Sequence, residues 1–364
     1  MEDSNNIKVM QPKRREASET YCVTGATGYV ASWLVKTLLD RGFIVHATVR
    51  DPAKCLHLLS TWSGADRLKL FRADLKEEGS FDEAVKGCDG VFHVAASMEF
   101  SVNVTEENIE SYVQSNIIDP AISGTLNILR SCLKSKSVKR VVFTSSISTL
   151  SAKDRDGKWR GVVDESCQTP IDHVWNKKAS GWVYVLPKLL TEEAAFRFAS
   201  ENGVDLVSVI TPTVAGPFLT SSVPSSIQVV LSPLTGDSEL FRILSAVNAR
   251  MGSIALVHIE DICRVHLFLM EHAKADGRYI CCAQSWPLCK LLNHLAQRYP
   301  CSNLERSVRD VEQVPSEISS KKLRELGFEY KHGIEDIISQ TVTACLNYGF
   351  LTPIRNLLID NMST

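Results

Sequence analysis

The chain predicts an α/β fold: a doubly wound parallel sheet followed by a smaller, mostly helical C-terminal lobe. Three observations predict it. β-rich runs alternate with helical periodicity from Thr20 to Ile210, the pattern of βαβ units. A glycine turn, Gly25-Ala-Thr-Gly28, joins the first strand to the first helix. Beyond Thr211 the alternation fails at Pro212, Pro217, Pro224 and Pro233, and short helical patterns take over.

Thr20-Tyr-Cys-Val-Thr24 reads as the first strand, and Tyr29 to Arg41 as the first helix. That helix sets Val30, Leu34, Leu38 and Leu39 on one face and stops at Gly42. Phe43 to Val49 is the second strand, Leu68 to Phe71 the third, and Gly90 to Ala95 the fourth. A short helix, Ser80 to Lys86, separates the last two. The helix Ala121 to Ser135 leads to the strand Arg140 to Thr144, and the helix Val183 to Glu201 to the strand Leu206 to Ile210. Later helical patterns cover Asp261 to Glu271, Leu288 to Arg298, Ser320 to Glu325 and Ile334 to Leu346. Leu256 to His258 and Arg278 to Cys281 are strands that can rejoin the sheet. The domain reading is a disordered tail over 1–18, a dinucleotide-binding domain over 19–211, a substrate lobe over 212–350 and a flexible tail over 351–364.

Hydrophobic residues make up 44% and charged residues 23% of the 364, which excludes a disordered or collagen-like chain. Forty basic residues against 42 acidic ones give a net charge of −2. So near-neutral a chain has no global attraction for nucleic acid or an anionic membrane. Met1 to Ala17 is polar, without the apolar core of a secretory signal. No apolar run reaches transmembrane length. Among eleven cysteines no pair has Cys-x-x-Cys spacing, so reduced thiols and a cytoplasmic location are expected. His93 and His258 sit in or beside apolar strands and read as core or strand-end histidines, with no metal expected.

Thr24-Gly25-Ala-Thr-Gly28-Tyr-Val-Ala31 follows a strand and opens a helix. This is the context of a Rossmann-like dinucleotide turn. Gly25 permits the tight turn, Gly28 lets the backbone approach a pyrophosphate, and Ala31 allows close helix–strand packing. The helix N-terminus offers its free N–H groups to phosphates. NAD sites place an acidic residue at the end of the second strand; here Arg50 comes first and Asp51 second. Arg50, assisted by Lys54, could clamp a 2′-phosphate, which points to NADP(H), whereas Asp51 leans toward NAD. Asp74-Leu75, past the third strand, is placed to hold the adenine edge. The candidate cofactor set is Thr24, Gly25, Thr27, Gly28, Tyr29, Val30, Arg50, Lys54, Asp74, Leu75, Val94, Ala95, Pro212 and Thr213, together with Tyr184 and Lys188.

Tyr184-Val-Leu-Pro-Lys188 sets a phenol and an ammonium on one helical face. Tyrosine alone is a weak acid–base catalyst at neutral pH, and a neighbouring ammonium favours its ionised form. Ser146 ends a strand 38 residues earlier, at the sheet edge where ligands sit, and can hold a substrate oxygen beside Tyr184. Ser146, Tyr184 and Lys188 are the candidate catalytic set. Pro187 stands between the last two: its cost is small if Tyr184 lies in the first helical turn, and otherwise the proline distorts their geometry. Candidate substrate contacts are Ser97, Met98, Ser146, Trp175 and Trp182, with Thr213.

These motifs resemble the extended short-chain dehydrogenase/reductase superfamily over roughly residues 18–350. Thr24 to Leu34, Thr48 to Pro52, Val91 to Ala95, Val138 to Ser146 and Gly277 to Cys281 resemble, more narrowly, the plant dihydroflavonol reductase and anthocyanidin reductase group. The resemblance implies a Rossmann domain, NADPH, a flavonoid substrate and a Ser–Tyr–Lys triad carried onto Ser146, Tyr184 and Lys188. Ala31 and the segment Gly252 to Arg264 are similar to anthocyanidin reductases. Ser151 stands where dihydroflavonol reductases commonly have an asparagine against the substrate. Two alternatives stay open: a dihydroflavonol 4-reductase-like carbonyl reductase, and a non-catalytic NADP-binding scaffold or sensor. No oligomeric state follows from the sequence.

Overall fold

The computed structural model describes residues 19–96, 109–178, 181–300 and 316–352. The predicted tails therefore fall largely outside the described residues, as do Ser97 and Met98.

Seven parallel strands make the main sheet. In chain order they are β1 Thr20–Val23, β2 Ile44–Val49, β3 Leu68–Arg72, β4 Gly90–His93, β5 Arg140–Ser146, β6 Leu206–Thr211 and β7 Gly277–Ile280. Across the sheet they run β7-β6-β5-β4-β1-β2-β3. Every neighbouring pair is parallel. The order 3-2-1-4-5-6 is that of a doubly wound dinucleotide-binding sheet, extended here by β7.

Alternation along buried strands loads both faces. Val23, Phe92 and Val142 pack with helices Tyr29–Asp40 and Ile259–Glu271. Cys22, Val91, Val141 and Phe143 pack against helices Asp119–Ser135 and Trp182–Asn202.

Of the two late strands, Gly277–Ile280 joins the main sheet. Ile254–His258 instead lies between Thr213–Ala215 and Gln284–Trp286 in a separate three-stranded sheet. Helices Ser225–Val230, Ser238–Met251, Leu288–Arg298 and Ile334–Tyr348 pack around that small sheet through their own apolar core.

Several helices differ from the sequence expectation. The segment before Ala121 is already helical: Ile109–Val113 passes through a π-turn, Gln114–Ile118, into Asp119–Ser135. Ser238–Met251, absent from the periodicity reading, is a full helix capped by Asp237 and ended by Gly252 in the left-handed region. Among the described residues no helix is long and apolar enough to cross a membrane.

Candidate active site

Strand order reverses between β1 and β4, and in open α/β sheets the crevice beyond such strand ends takes the ligand. Gly25 follows β1 with φ +70°, and a Cβ there would lie 3.1 Å from Cα and Cβ of Ala95. Both the turn and the close approach of the chain after β4 therefore require glycine. The Gly28 N–H closes the turn onto the Gly25 carbonyl at 2.9 Å. The helix then begins at Tyr29 with no side-chain cap, so its first N–H groups face the crevice.

Thr24 sits behind this cradle, fully buried. Its Oγ1 accepts the N–H groups of Val94 at 3.0 Å and Ala95 at 2.9 Å. Its own proton is thereby directed to His93 Nδ1, 3.1 Å away. The proton on His93 Nε2 goes to Thr125 Oγ1 at 3.1 Å. Burial, with a smaller push from the Lys188 charge, lowers His93 to about 3. The neutral ring pins the ends of β1 and β4 to helix Asp119–Ser135. Thr24 thus supports the crevice from below.

Arg50 is exposed at the end of β2 and lines the crevice. Asp51 is engaged locally: its Oδ1 accepts the Ala53 N–H at 3.0 Å and caps the turn Pro52–Cys55. Lys54, exposed in that turn, is not among the lining residues. Asp74 and Leu75 line the crevice beyond β3. Helix Asp119–Ser135 approaches Leu75 at Gly124, where a Cβ would come within 2.7 Å of the Leu75 Cβ. Asn127 Nδ2 then donates to the Leu75 carbonyl at 3.1 Å, fixing the loop.

Ser146 ends β5, and its Oγ accepts the Ser148 N–H at 3.1 Å. Tyr184, third residue of helix Trp182–Asn202, donates its hydroxyl to Ser146 Oγ at 3.3 Å. Lys188 follows one turn later, its Nζ 6.0 Å from the Tyr184 ring centre. All three line one open cleft of about 1960 Å³. Thr27, Gly28, Tyr29, Val30, Val94, Ala95, Pro212 and Thr213 line it too. The structure thus gathers a proton donor, a hydroxyl partner and a cation at the mouth of a dinucleotide cradle.

Pro187 lies past the first turn of the helix and leaves the Val183 carbonyl without its i+4 donor. The helix nevertheless runs unbroken and keeps Tyr184 and Lys188 on the cleft side. A cavity of about 30 Å³ lies against Pro187, Lys188 and Thr191.

Trp182 lines the cleft, and Trp175 backs it at 5.7 Å between ring centres without reaching the lining. Sequence reasoning missed helix Ser238–Met251, which supplies Leu240, Ile243, Ala246, Val247 and Arg250 to the opposite wall. The signals for it were Asp237, whose Oδ1 accepts two N–H groups at 3.0 Å each, and Gly252.

The fold also brings Glu260 and His332 to His258, where the sequence showed no metal cluster. His258 Nδ1 accepts the Glu260 N–H at 3.2 Å, which puts the ring proton on Nε2 and leaves no lone pair there for a metal. His332 Nε2 meets the Glu260 carboxylate at 3.0 Å. Within the cluster His258 caps its helix and His332 bonds to the Glu260 carboxylate.

A doubly wound parallel sheet with a glycine turn after β1 and a Tyr–Lys pair lining the same cleft is the arrangement of a nicotinamide-dependent oxidoreductase. The chain belongs to the NAD dependent epimerase/dehydratase family, whose sequence profile matches residues 21–282. It is 47% identical over 337 residues to a Ginkgo biloba protein assigned by name as an anthocyanidin reductase, covering 92% of this chain and 96% of that one. It is 40% identical over 338 residues to the dihydroflavonol 4-reductase of Arabidopsis thaliana, covering 92% and 84%. Among solved structures it is similar to vestitone reductase from alfalfa, with a TM-score of 0.75, 31% identity, and coverage of 91% and 99%.

Proposed function

We propose that the protein is an NADPH-dependent reductase of flavonoids, of the anthocyanidin reductase type, yielding a flavan-3-ol. The observation that carries this reading is the Tyr184 hydroxyl 3.3 Å from Ser146 Oγ beside the dinucleotide cradle. The similarity to the Ginkgo biloba protein supports the substrate class.

The cleft residues fit a nicotinamide dinucleotide: a glycine turn too tight for a Cβ, an uncapped helix start, and Arg50 free at the end of β2 while Asp51 is held in its own turn. The bound cofactor supplies the hydride. In carbonyl reduction Ser146 orients the substrate oxygen and Tyr184 delivers its proton. Lys188, one helical turn on, would hold a ribose hydroxyl of the cofactor. Pro212, Thr213 and the lining residues of helix Ser238–Met251 belong to the wall that shapes substrate choice. We place its action in the cytoplasm, in keeping with the described cysteines being free thiols.

A dihydroflavonol 4-reductase reading is less well supported at Ser151. Its hydroxyl bonds to the Lys153 carbonyl at 2.9 Å and accepts the Lys153 N–H at 3.2 Å, within its own loop. The test is NADPH turnover against an anthocyanidin, a dihydroflavonol and a flavanone. Flavan-3-ol formation from the anthocyanidin is expected. Turnover of the dihydroflavonol alone would assign the alternative activity. NADPH binding without turnover of any of them would leave a scaffold or sensor.

A further inference from the structure

Arg250 is one of three arginines that line the cleft, with Arg50 and Arg155, and it has no counter-ion among the described residues. It sits at the end of helix Ser238–Met251, half-buried, across from the catalytic pair. Among the described residues no carboxylate lies within ion-pair distance of it. Its one protein hydrogen bond is from Nη1 to the Ser148 carbonyl at 3.5 Å, the outer limit of such a bond. Burial pulls its guanidinium down to about 10, and the nearby Tyr184 opposes that pull. A guanidinium partly withdrawn from water and left with one long bond can take a further partner from the cleft.

Ser148 gives a second, independent sign. It is 3% exposed, lines the same cleft, and its hydroxyl has no hydrogen-bond partner. Buried hydroxyls are otherwise nearly always bonded. Trp182, Val223, Leu240, Ile243 and Val247 give the cleft an apolar stretch, while Lys153, Asp154, Arg155 and Asp156 line another part of it. Such an apolar stretch takes a flat, largely apolar ring system, and the two polar groups read one point on it. The cofactor's phosphates do not account for Arg250, because the glycine turn and Arg50 lie at the ends of β1 and β2. Arg250 stands by Ser148, beyond β5.

We propose that Arg250 and the Ser148 hydroxyl form an anion-reading subsite, and that the substrate is an aromatic compound bound with an ionised phenolic oxygen against the guanidinium. This rests on the reductase reading for the place of the site and deepens it by naming the charge state of the substrate. A planar fork suits an oxyanion carried on a ring, since it donates in the plane of the ring's substituent. A carboxylate would present similar chemistry, so the test separates the two.

The experiment measures binding to the NADP⁺-loaded enzyme by equilibrium dialysis, at a pH where 4-nitrophenol is ionised. The probes are 4-nitrophenolate, its neutral methyl ether 4-nitroanisole, and 4-nitrobenzoate. The proteins are wild type, Arg250→Gln and Arg250→Lys, each with its melting temperature recorded. Wild type should prefer the phenolate over the ether by about tenfold or more, the scale of one charge-assisted hydrogen bond. Arg250→Gln should abolish that preference while leaving ether binding unchanged, and Arg250→Lys should retain part of it. Equal binding of phenolate and ether by wild type would overturn the proposal. So would a preference surviving in Arg250→Gln, or a tighter hold on the benzoate than on the phenolate. Because these probes lack a flavonoid skeleton, the outcome stands even if no flavonoid is turned over, and that failure would count against the reductase reading alone.

Discussion

The Arg278 guanidinium lies 2.8 Å from the Glu192 carboxylate, joining the last strand of the main sheet to the helix that carries Tyr184 and Lys188. Arg278 also reaches Thr149 Oγ1 at 2.8 Å and the Glu165 carbonyl at 3.1 Å, and Glu192 accepts the Ser208 hydroxyl at 2.6 Å. Side-chain exposures of 16% and 4% make this a largely buried pair. Removing one partner leaves the other charge buried and unpaired, which costs about 3–5 kcal/mol. Glu192→Ala should therefore lower unfolding stability by about that amount in urea. An Arg278→Met, Glu192→Leu double variant should recover much of the loss. A single variant as stable as wild type would show that the pair does not anchor the helix.

Three of the four buried histidines among the described residues set an acid limit on the fold, and burial lowers the fourth, His46, as well. Burial lowers His93 to about 3, and His258 and His266 to about 4. His266 shows why: Nδ1–H donates to the Ile262 carbonyl and Nε2 accepts the Thr144 hydroxyl, both at 2.8 Å, an arrangement only the neutral ring can make. In the unfolded chain these rings titrate near their ordinary value of about 6.5. Between that pH and 4 the unfolded state binds more protons, so the stability is full above about 6.5 and drains as pH falls. Urea unfolding at pH 7, 6, 5 and 4 should show this decline, with about three protons taken up on unfolding near pH 5. A flat profile down to pH 5 would contradict the neutral assignments.

Arg50 should set the choice between the two nicotinamide dinucleotides. It lines the cleft from the end of β2, while Asp51 caps its own turn. Arg50→Ala should weaken NADPH by about tenfold or more, and NADH by much less, because one charge-assisted contact to the 2′-phosphate is lost. Dissociation constants for both cofactors decide it. Equal losses would mean that Arg50 does not read the phosphate.

The site was legible where its chemistry is local in the chain. Gly25 and Gly28 lie within one turn, and Tyr184 and Lys188 within one helical repeat, so their spacing, read together with the strand-end Ser146, marks them as candidates. Arg250 was not legible. Its helix divides its apolar residues between two surfaces: Leu244 and Met251 are buried, while Ile243 stays 41% exposed on the open cleft. That split blurs the single stripe by which a helix is recognised. The start of the long helix was hidden for a different reason. A π-turn over Gln114–Ile118 shifts the apolar phase, and Pro120 then mimics a break while occupying a first-turn position. The small sheet escaped notice because Thr213–Ala215 and Gln284–Trp286 are three residues each, too short to carry a period.

Tyr184→Phe should reduce turnover of a carbonyl substrate by about 10²- to 10⁴-fold, the usual worth of a positioned acid. NADPH binding should be nearly unchanged, since the ring is retained. The discriminating measurement pairs single-turnover kinetics with cofactor binding. Turnover within a few-fold of wild type would remove Tyr184 from the acid role, and would favour attack on a flavylium ring that needs no such proton.

Pro187 should lower helix stability without displacing the pair it separates. It is the sixth residue of helix Trp182–Asn202, and Tyr184 is the third. Proline is tolerated in the first turn, where the missing N–H has no partner anyway, but Pro187 lies beyond that turn and deprives the Val183 carbonyl. Serine would restore the donor without adding bulk. Pro187→Ser should therefore stabilise the protein by about 1–3 kcal/mol. The observed geometry limits the effect on rate. Tyr184 already reaches Ser146 Oγ at 3.3 Å, and Lys188 already stands 6.0 Å from the Tyr184 ring centre. The expected result is a higher melting temperature with kcat within a few-fold of wild type. A large rise in kcat would mean that the proline holds Lys188 away from its working position. A fall in stability would mean that the contacts of the pyrrolidine ring, beside the small cavity with Thr191, outweigh the lost hydrogen bond.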